Sequence, residues 1–126
     1  MIPPYTYSRL LRDIEEFESS PHFKVEVLTH TITGLAIPLL TITKGAAKER
    51  KKKMAVKQKK KVILISGRIH PSETCSSYII VGLIRELLRE ENIEEFLSDN
   101  IIKIVPMLNP DGVGFGNVRT STGYIT

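Results

Sequence analysis

The 126-residue sequence predicts an α/β fold: a mixed sheet with flanking helices. Three observations carry this. Val62-Ile63-Leu64-Ile65 and Ile101-Ile102-Lys103-Ile104-Val105 are short apolar runs, the form taken by strands buried on both faces. Between them the apolar residues recur at helical spacing, so that strand, helix and strand follow one another as a βαβ unit with two parallel strands. Upstream, Phe23-Lys24-Val25-Glu26-Val27 alternates apolar with polar, and Ile37 to Thr43 returns as its partner. An antiparallel pair beside a parallel one makes the sheet mixed.

In chain order, the first element is a helix. Tyr7, Leu10, Leu11, Ile14 and Phe17 share one face, Thr6 or Ser8 can cap it, and Ser19-Ser20-Pro21 ends it. Between the two antiparallel strands, Thr33-Gly34 is a turn, and Pro38 is expected near the start of the second strand or on an edge. Residues 46–60 form a lysine-dense insert whose like charges favour an exposed loop. A long helix is expected from near Ser76 to Glu90, with Tyr78, Ile79, Leu83, Ile84, Leu87 and Leu88 inward. Glu91 to Asn100 reads as a second short helix or helical turn that buries Ile93, Phe96 and Leu97. Asn109-Pro110-Asp111-Gly112 is a strong turn sequence, in which Asn and Asp cap and Gly frees the backbone.

At 41% hydrophobic and 25% charged, the composition is that of a soluble globular protein. No apolar run approaches the ~20 residues that cross a bilayer, and no secretory signal is visible at the amino terminus. Cys75 is the only cysteine, which excludes an internal disulfide and suits a reducing compartment. It is expected in the core at the start of the long helix. The net charge of +4 is local in origin: Lys44 to Lys61 holds ten Lys or Arg against Glu49 alone, and the rest of the chain is acidic by five charges. Such a run is either a solvated loop or a patch that holds an acidic partner by electrostatics. No aromatic residue interrupts it, so stacking on nucleic-acid bases has no support.

The chemistry-bearing residues follow the first parallel strand, in Ser66-Gly67-Arg68-Ile69-His70-Pro71-Ser72-Glu73-Thr74. Open α/β sheets bind ligands beyond the carboxyl ends of their strands, where His70 and Glu73 fall. An imidazole and a carboxylate three residues apart on a loop can converge on one ion. Both donors suit zinc, although the pair by itself would accept other divalent ions. His22 and His30 lie far upstream and read as surface or turn residues.

Four stretches resemble the zinc metallocarboxypeptidases, and within them the cytosolic carboxypeptidase (deglutamylase) branch. They are Pro4-Tyr5-Thr6-Tyr7-Ser8 with Leu10, Pro38-Leu39-Leu40-Thr41-Ile42-Thr43, the Arg68 to Thr74 segment, and Ile102 to Val113 continued by Gly116-Asn117-Val118-Arg119. Ser72 stands where the family usually has Gly. The resemblance implies that 1–45 is the end of a small β-rich amino-terminal domain, 46–60 a basic loop insert, and 61–126 the first part of a carboxypeptidase-like α/β domain. His70 and Glu73 match the first two ligands of a catalytic Zn2+. Arg119 matches an arginine that polarises the scissile carbonyl and steadies the oxyanion, binding the substrate where negative charge develops. It further implies removal of C-terminal or branch glutamates from acidic protein tails such as those of tubulin, in the cytoplasm and in association with the cytoskeleton. The family's third ligand, its general base and its Asp-Leu-Asn-Arg segment have no match here; Thr120 to Thr126 differs from the last. The 126 residues alone are therefore expected to lack peptidase activity. An inactive binding or regulatory protein that meets acidic partners through the basic loop is the alternative.

Overall fold

The computed structural model describes residues 3–46 and 59–121. Helix α1 (Tyr7–Phe17) begins where the Thr6 side chain accepts the Arg9 N–H, a cap that satisfies one of the first-turn donors left without a helical partner. Leu10, Ile14 and Phe17 are its buried stripe, while Leu11 faces outward. Strands β1 (Phe23–His30) and β2 (Ala36–Ile42) form the expected antiparallel pair, with an irregularity between Val27 and Thr29. After them come β3 (Lys61–Ser66), α2 (Thr74–Arg89), α3 (Ile93–Asp99), β4 (Asn100–Val105) and a short α4 (Pro110–Phe115).

The four strands make one mixed sheet in the order β1-β2-β4-β3. β3 and β4 run parallel from Lys61 opposite Asn100 to Ser66 opposite Val105, while β2 and β4 are antiparallel over Leu40–Ile42. Pro38 lies in β2 before the stretch paired with β4, so its missing N–H breaks no bond in that ladder. β1 and β2, expected in a small domain of their own, lie in the same sheet as β3 and β4. One core joins Tyr5, Leu10, Phe17 and Phe23 to Leu40, Ile42, Ile84, Leu97, Ile102, Ile104 and Met107. Of the basic insert, only Ala46, Lys59 and Lys60 fall among the described residues. Ala46 is buried, and Lys60 donates to Thr43 Oγ1 and to the Leu97 carbonyl.

Several burial expectations need correction. β3 is an edge strand, not one buried on both faces: Val62 and Leu64 are 63% and 70% exposed. Its apolar run matches that of β4, but only β4 has a strand on each side. In α2 the buried residues are Ser77, Ile80, Val81 and Ile84, and Ile79 and Leu83 turn outward. The apolar surface of that helix is wider than the face the sheet covers. Phe96 is likewise exposed, and Cys75 lies on the surface rather than in the core. The Asn109–Gly112 segment starts a helix rather than making a simple turn: Asn109 caps α4 by accepting the Gly112 N–H, with Pro110 at its first turn. His22 accepts the Gly45 N–H at Nδ1 and sets Nε2 3.3 Å from Glu94, a structural tie rather than a surface position.

The two kinds of apolar position should separate cleanly in denaturant unfolding. Ile104→Ala removes a fully buried side chain at the centre of the sheet and is expected to cost about 2–5 kcal/mol. Leu64→Ser on the exposed edge should change stability by less than about 0.5 kcal/mol.

Candidate metal centre

β3 ends at Ser66, and the chain turns through residues 67–73 before entering α2. Gly67 packs closely: a Cβ there would sit 2.6 Å from Ile80 Cδ1, so that the Ile80 side chain would have to shift. Arg68 follows in the left-handed region at φ 53°, unusual for a residue with a side chain. The turn brings His70 Nδ1 to 2.8 Å from Glu73 Oε1, and the His70 N–H points to Glu73 Oε2 at 3.4 Å. Both side chains are about half exposed and so remain open to a ligand.

Glu73 occupies the capping position of α2, yet its carboxylate makes no cap hydrogen bond. A carboxylate there would ordinarily accept a first-turn N–H and stabilise the helix by about 1 kcal/mol. Here it turns back to His70 instead. The hydrogen bond from His70 holds the Glu73 carboxyl below its ordinary value against the opposing effect of desolvation, and the charge of Arg119 acts in the same direction. Among the described residues no third His, Cys, Asp or Glu joins the pair.

Arg119 is exposed, and its segment lies against the same loop. The Ser72 N–H donates to the Val118 carbonyl, the Asn117 N–H to the Gly112 carbonyl, and the Asn117 amide to the carbonyls of Thr120 and Ser121. Gly112 is the pinch point: a Cβ there would collide with the Pro71 ring and come within 2.5 Å of the Thr120 carbonyl oxygen. α4 is anchored from its other side by Asp111, which is buried and accepts from the Thr31 and Thr33 hydroxyls and the Thr33 N–H. Burial alone would raise the Asp111 carboxyl, but the bonds from Thr33 and Thr31 outweigh it and hold it below its ordinary value. His70, Glu73 and the Arg119 segment thus share one end of the sheet, beyond the carboxyl ends of β3 and β4. His30 and Cys75 take no part in the pair.

An imidazole nitrogen and a carboxylate oxygen are both donors that zinc accepts. Bonds of about 2.0–2.2 Å at a tetrahedral angle put two ligand atoms about 3.3 Å apart. The observed 2.8 Å separation needs to open by only about half an ångström to admit the ion in place of the shared proton. The pair therefore fits as two ligands of such a site.

A family model described as zinc carboxypeptidase matches residues 10–124. The chain belongs to the zinc carboxypeptidase family. It is 40% identical over 123 residues to cytosolic carboxypeptidase 2 of Xenopus tropicalis and 36% identical over 124 residues to cytosolic carboxypeptidase 1 of Homo sapiens. Each alignment covers 94% of this chain but only 12% and 10%, respectively, of those relatives. Among solved structures, a metallo-carboxypeptidase from Burkholderia cenocepacia superposes with a TM-score of 0.76 at 27% identity, over 94% of this chain and 30% of that one. The chain thus spans about a tenth to an eighth of the length of these relatives and under a third of that solved structure. Among the described residues no helix is long and apolar enough to cross a membrane.

The structure adds three residues whose roles were not legible in the motif: Arg68, Gly112 and Asp111. Gly112 and Asp111 stand in a turn sequence that can be read locally, but their partners Pro71, Thr31 and Thr33 are remote in sequence. Arg68 stood in the quoted motif with no role attached.

Two outcomes follow for this region. Gly112→Ala should lower stability by about 1–3 kcal/mol through overpacking, and should shift the amide resonances of residues 70, 72 and 73 and of 117–120 together. Asp111 has a folded value below its unfolded value of about 3.9, so its contribution is complete above the unfolded value and is lost as pH falls through the folded one. Thermal unfolding between pH 6 and pH 3 should therefore fall less steeply for Asp111→Asn than for the parent chain.

Proposed function

We propose that the chain forms the first part of the active domain of a zinc metallocarboxypeptidase that removes C-terminal or branch glutamates from protein tails such as those of tubulin. The observation that carries this reading is the convergence of His70 and Glu73 beside the Arg119 segment at the carboxyl ends of β3 and β4, in a chain of this family. His70, as the neutral imidazole, and Glu73, as the carboxylate, would hold the zinc. When bound, zinc supplies Lewis-acid polarisation of the scissile carbonyl and acidifies the attacking water. Arg119 presents a positive group whose charge lowers the Glu73 carboxyl, and such a group can also steady developing negative charge.

Preference for glutamate rests on charge. Arg119 lies at the site, and the dense basic segment from Lys44 to Lys61 attracts acidic chains over distances comparable to the Debye length of about 8 Å. The names of the cytosolic relatives support a cytoplasmic protein, and tubulin tails would bring it to the cytoskeleton. The third ligand and the proton acceptor would come from the parts of the family domain outside this segment. The 126 residues alone would then not catalyse hydrolysis and would act, if isolated, as a binder of acidic tails.

The test is release of glutamate from a glutamate-tailed peptide, followed by mass spectrometry in the presence of Zn2+. A longer polypeptide that contains this segment should release glutamate, and its His70→Ala variant should not. The 126-residue chain should leave the peptide intact. Activity in the longer His70→Ala protein would overturn the ligand assignment, and His70-dependent release by the short chain would overturn the claim that it is incomplete.

A further inference from the structure

A buried guanidinium sits directly beneath the His70–Glu73 pair. Arg68 is 3% exposed. Its Nε donates to the Pro71 carbonyl at 3.0 Å and one terminal nitrogen donates to the same oxygen at 2.6 Å. The other terminal nitrogen donates to the Tyr5 carbonyl and to Ser77 Oγ, each at 3.1 Å. The Arg68 backbone is held as well: its N–H donates to Ser76 Oγ, and its carbonyl accepts the Asn109 N–H. The polar groups of the residue thus tie together the turn at Pro71, the start of α2, the amino-terminal segment and Asn109.

The Pro71 carbonyl decides what this network does. Pro71 lies between His70 and Glu73, so a fork closed on its oxygen sets the path of the chain that separates the two side chains. A planar fork can grip one oxygen through two N–H groups, which a lysine ammonium at the end of a flexible stem cannot reproduce. The left-handed backbone at Arg68 is disfavoured for a residue with a Cβ and persists because the side chain closes the ring from Arg68 to Pro71. The same guanidinium reaches Tyr5, whose ring is buried against Tyr78 of α2 at 5.2 Å, while Tyr78 donates to the Pro3 carbonyl. The amino-terminal segment is in this way fastened to the start of α2 and to the loop.

We propose that Arg68 is a positioning residue, whose buried fork sets the Arg68–Pro71 turn so that His70 and Glu73 face one another and ties that turn to the amino-terminal segment through Tyr5. Its effect on metal binding rests on the reading of His70 and Glu73 as ligands; its effect on the loop does not. Residues that orient metal ligands from outside commonly change affinity by about 10–100-fold when replaced.

The experiment uses the full 126-residue chain in three forms: unaltered, Arg68→Lys, and Ile14→Ala as a variant destabilised far from the loop. Amide 15N relaxation is measured without metal, and Zn2+ affinity is measured by competition with a chromophoric chelator. In Arg68→Lys the order parameters of residues 69, 70, 72 and 73 should fall from about 0.85 to below about 0.6 while those of β2 and β4 hold, and Zn2+ should bind about 10-fold more weakly. Ile14→Ala should lower the melting temperature but leave both loop order and Zn2+ affinity unchanged. Unchanged order parameters at 69, 70, 72 and 73 in a folded Arg68→Lys protein would overturn the proposal. If Arg68→Lys does not fold, Ser77→Ala, which removes one acceptor of the fork, should give a smaller loss of order at the same residues, and its absence there would overturn the proposal equally. Failure of the ligand reading shows separately, as Zn2+ affinity unaffected by His70→Ala.

Discussion

A guanidinium taken out of water must have its N–H groups met, or its desolvation goes uncompensated. Arg68 is in that position, and the acceptors that meet it come from the adjoining turn, from α2 and from the segment before α1. Burial pulls its proton affinity down, and the nearby Glu73 and Tyr5 act against that pull. A site near this charge cannot be assembled piecemeal. The turn after β3, the first turn of α2 and the path of residues 3–5 have to be in place together, because each supplies an acceptor that the others cannot.

Around this anchor the chain builds a two-level arrangement. The hydrophobic level is the sheet face on which Leu40, Ile42, Ile102 and Ile104 pack against α1 and α2. The polar level lies beyond the strand ends, where short loops are held by bonds between segments remote in sequence: Asp111 to Thr31 and Thr33, Ser72 to Val118, Asn109 to Arg68. Gly112 lets two of these segments touch, since any side chain would occupy the space of Pro71 and Thr120. The exposed pair His70 and Glu73 therefore lies beside two buried, hydrogen-bonded side chains, Arg68 and Asp111, that brace the surrounding loops.

Much of the fold was legible because it depends on local pattern. Alternation marked β1, helical spacing marked α1 and α2, and apolar runs marked β3 and β4. The place of His70 and Glu73 after a strand end was legible for the same reason. Burial was less so. Val62 and Leu64 look like core and are exposed, Ile79 and Leu83 look inward and face out, and Cys75 lies on the surface. An apolar residue records an affinity for apolar surroundings, but whether anything covers it is decided by neighbours whose positions local pattern does not contain.

The sequence by itself determined most of the helices and strands, the parallel pairing through α2, and the placing of His70 and Glu73 on the turn after a strand end. Those properties arise from periodicity, caps and donor chemistry within a few residues. Only the tertiary structure decided that β1 and β2 join the same sheet as β3 and β4, that β3 is an edge, and that Asn109–Gly112 opens a helix braced by Asp111. It also decided that Arg68 points inward to Pro71, Tyr5 and Ser77. The reason is the separation of the partners: Tyr5 and Arg68, or Thr33 and Asp111, meet only once the whole chain has closed, and no local rule relates residues so far apart.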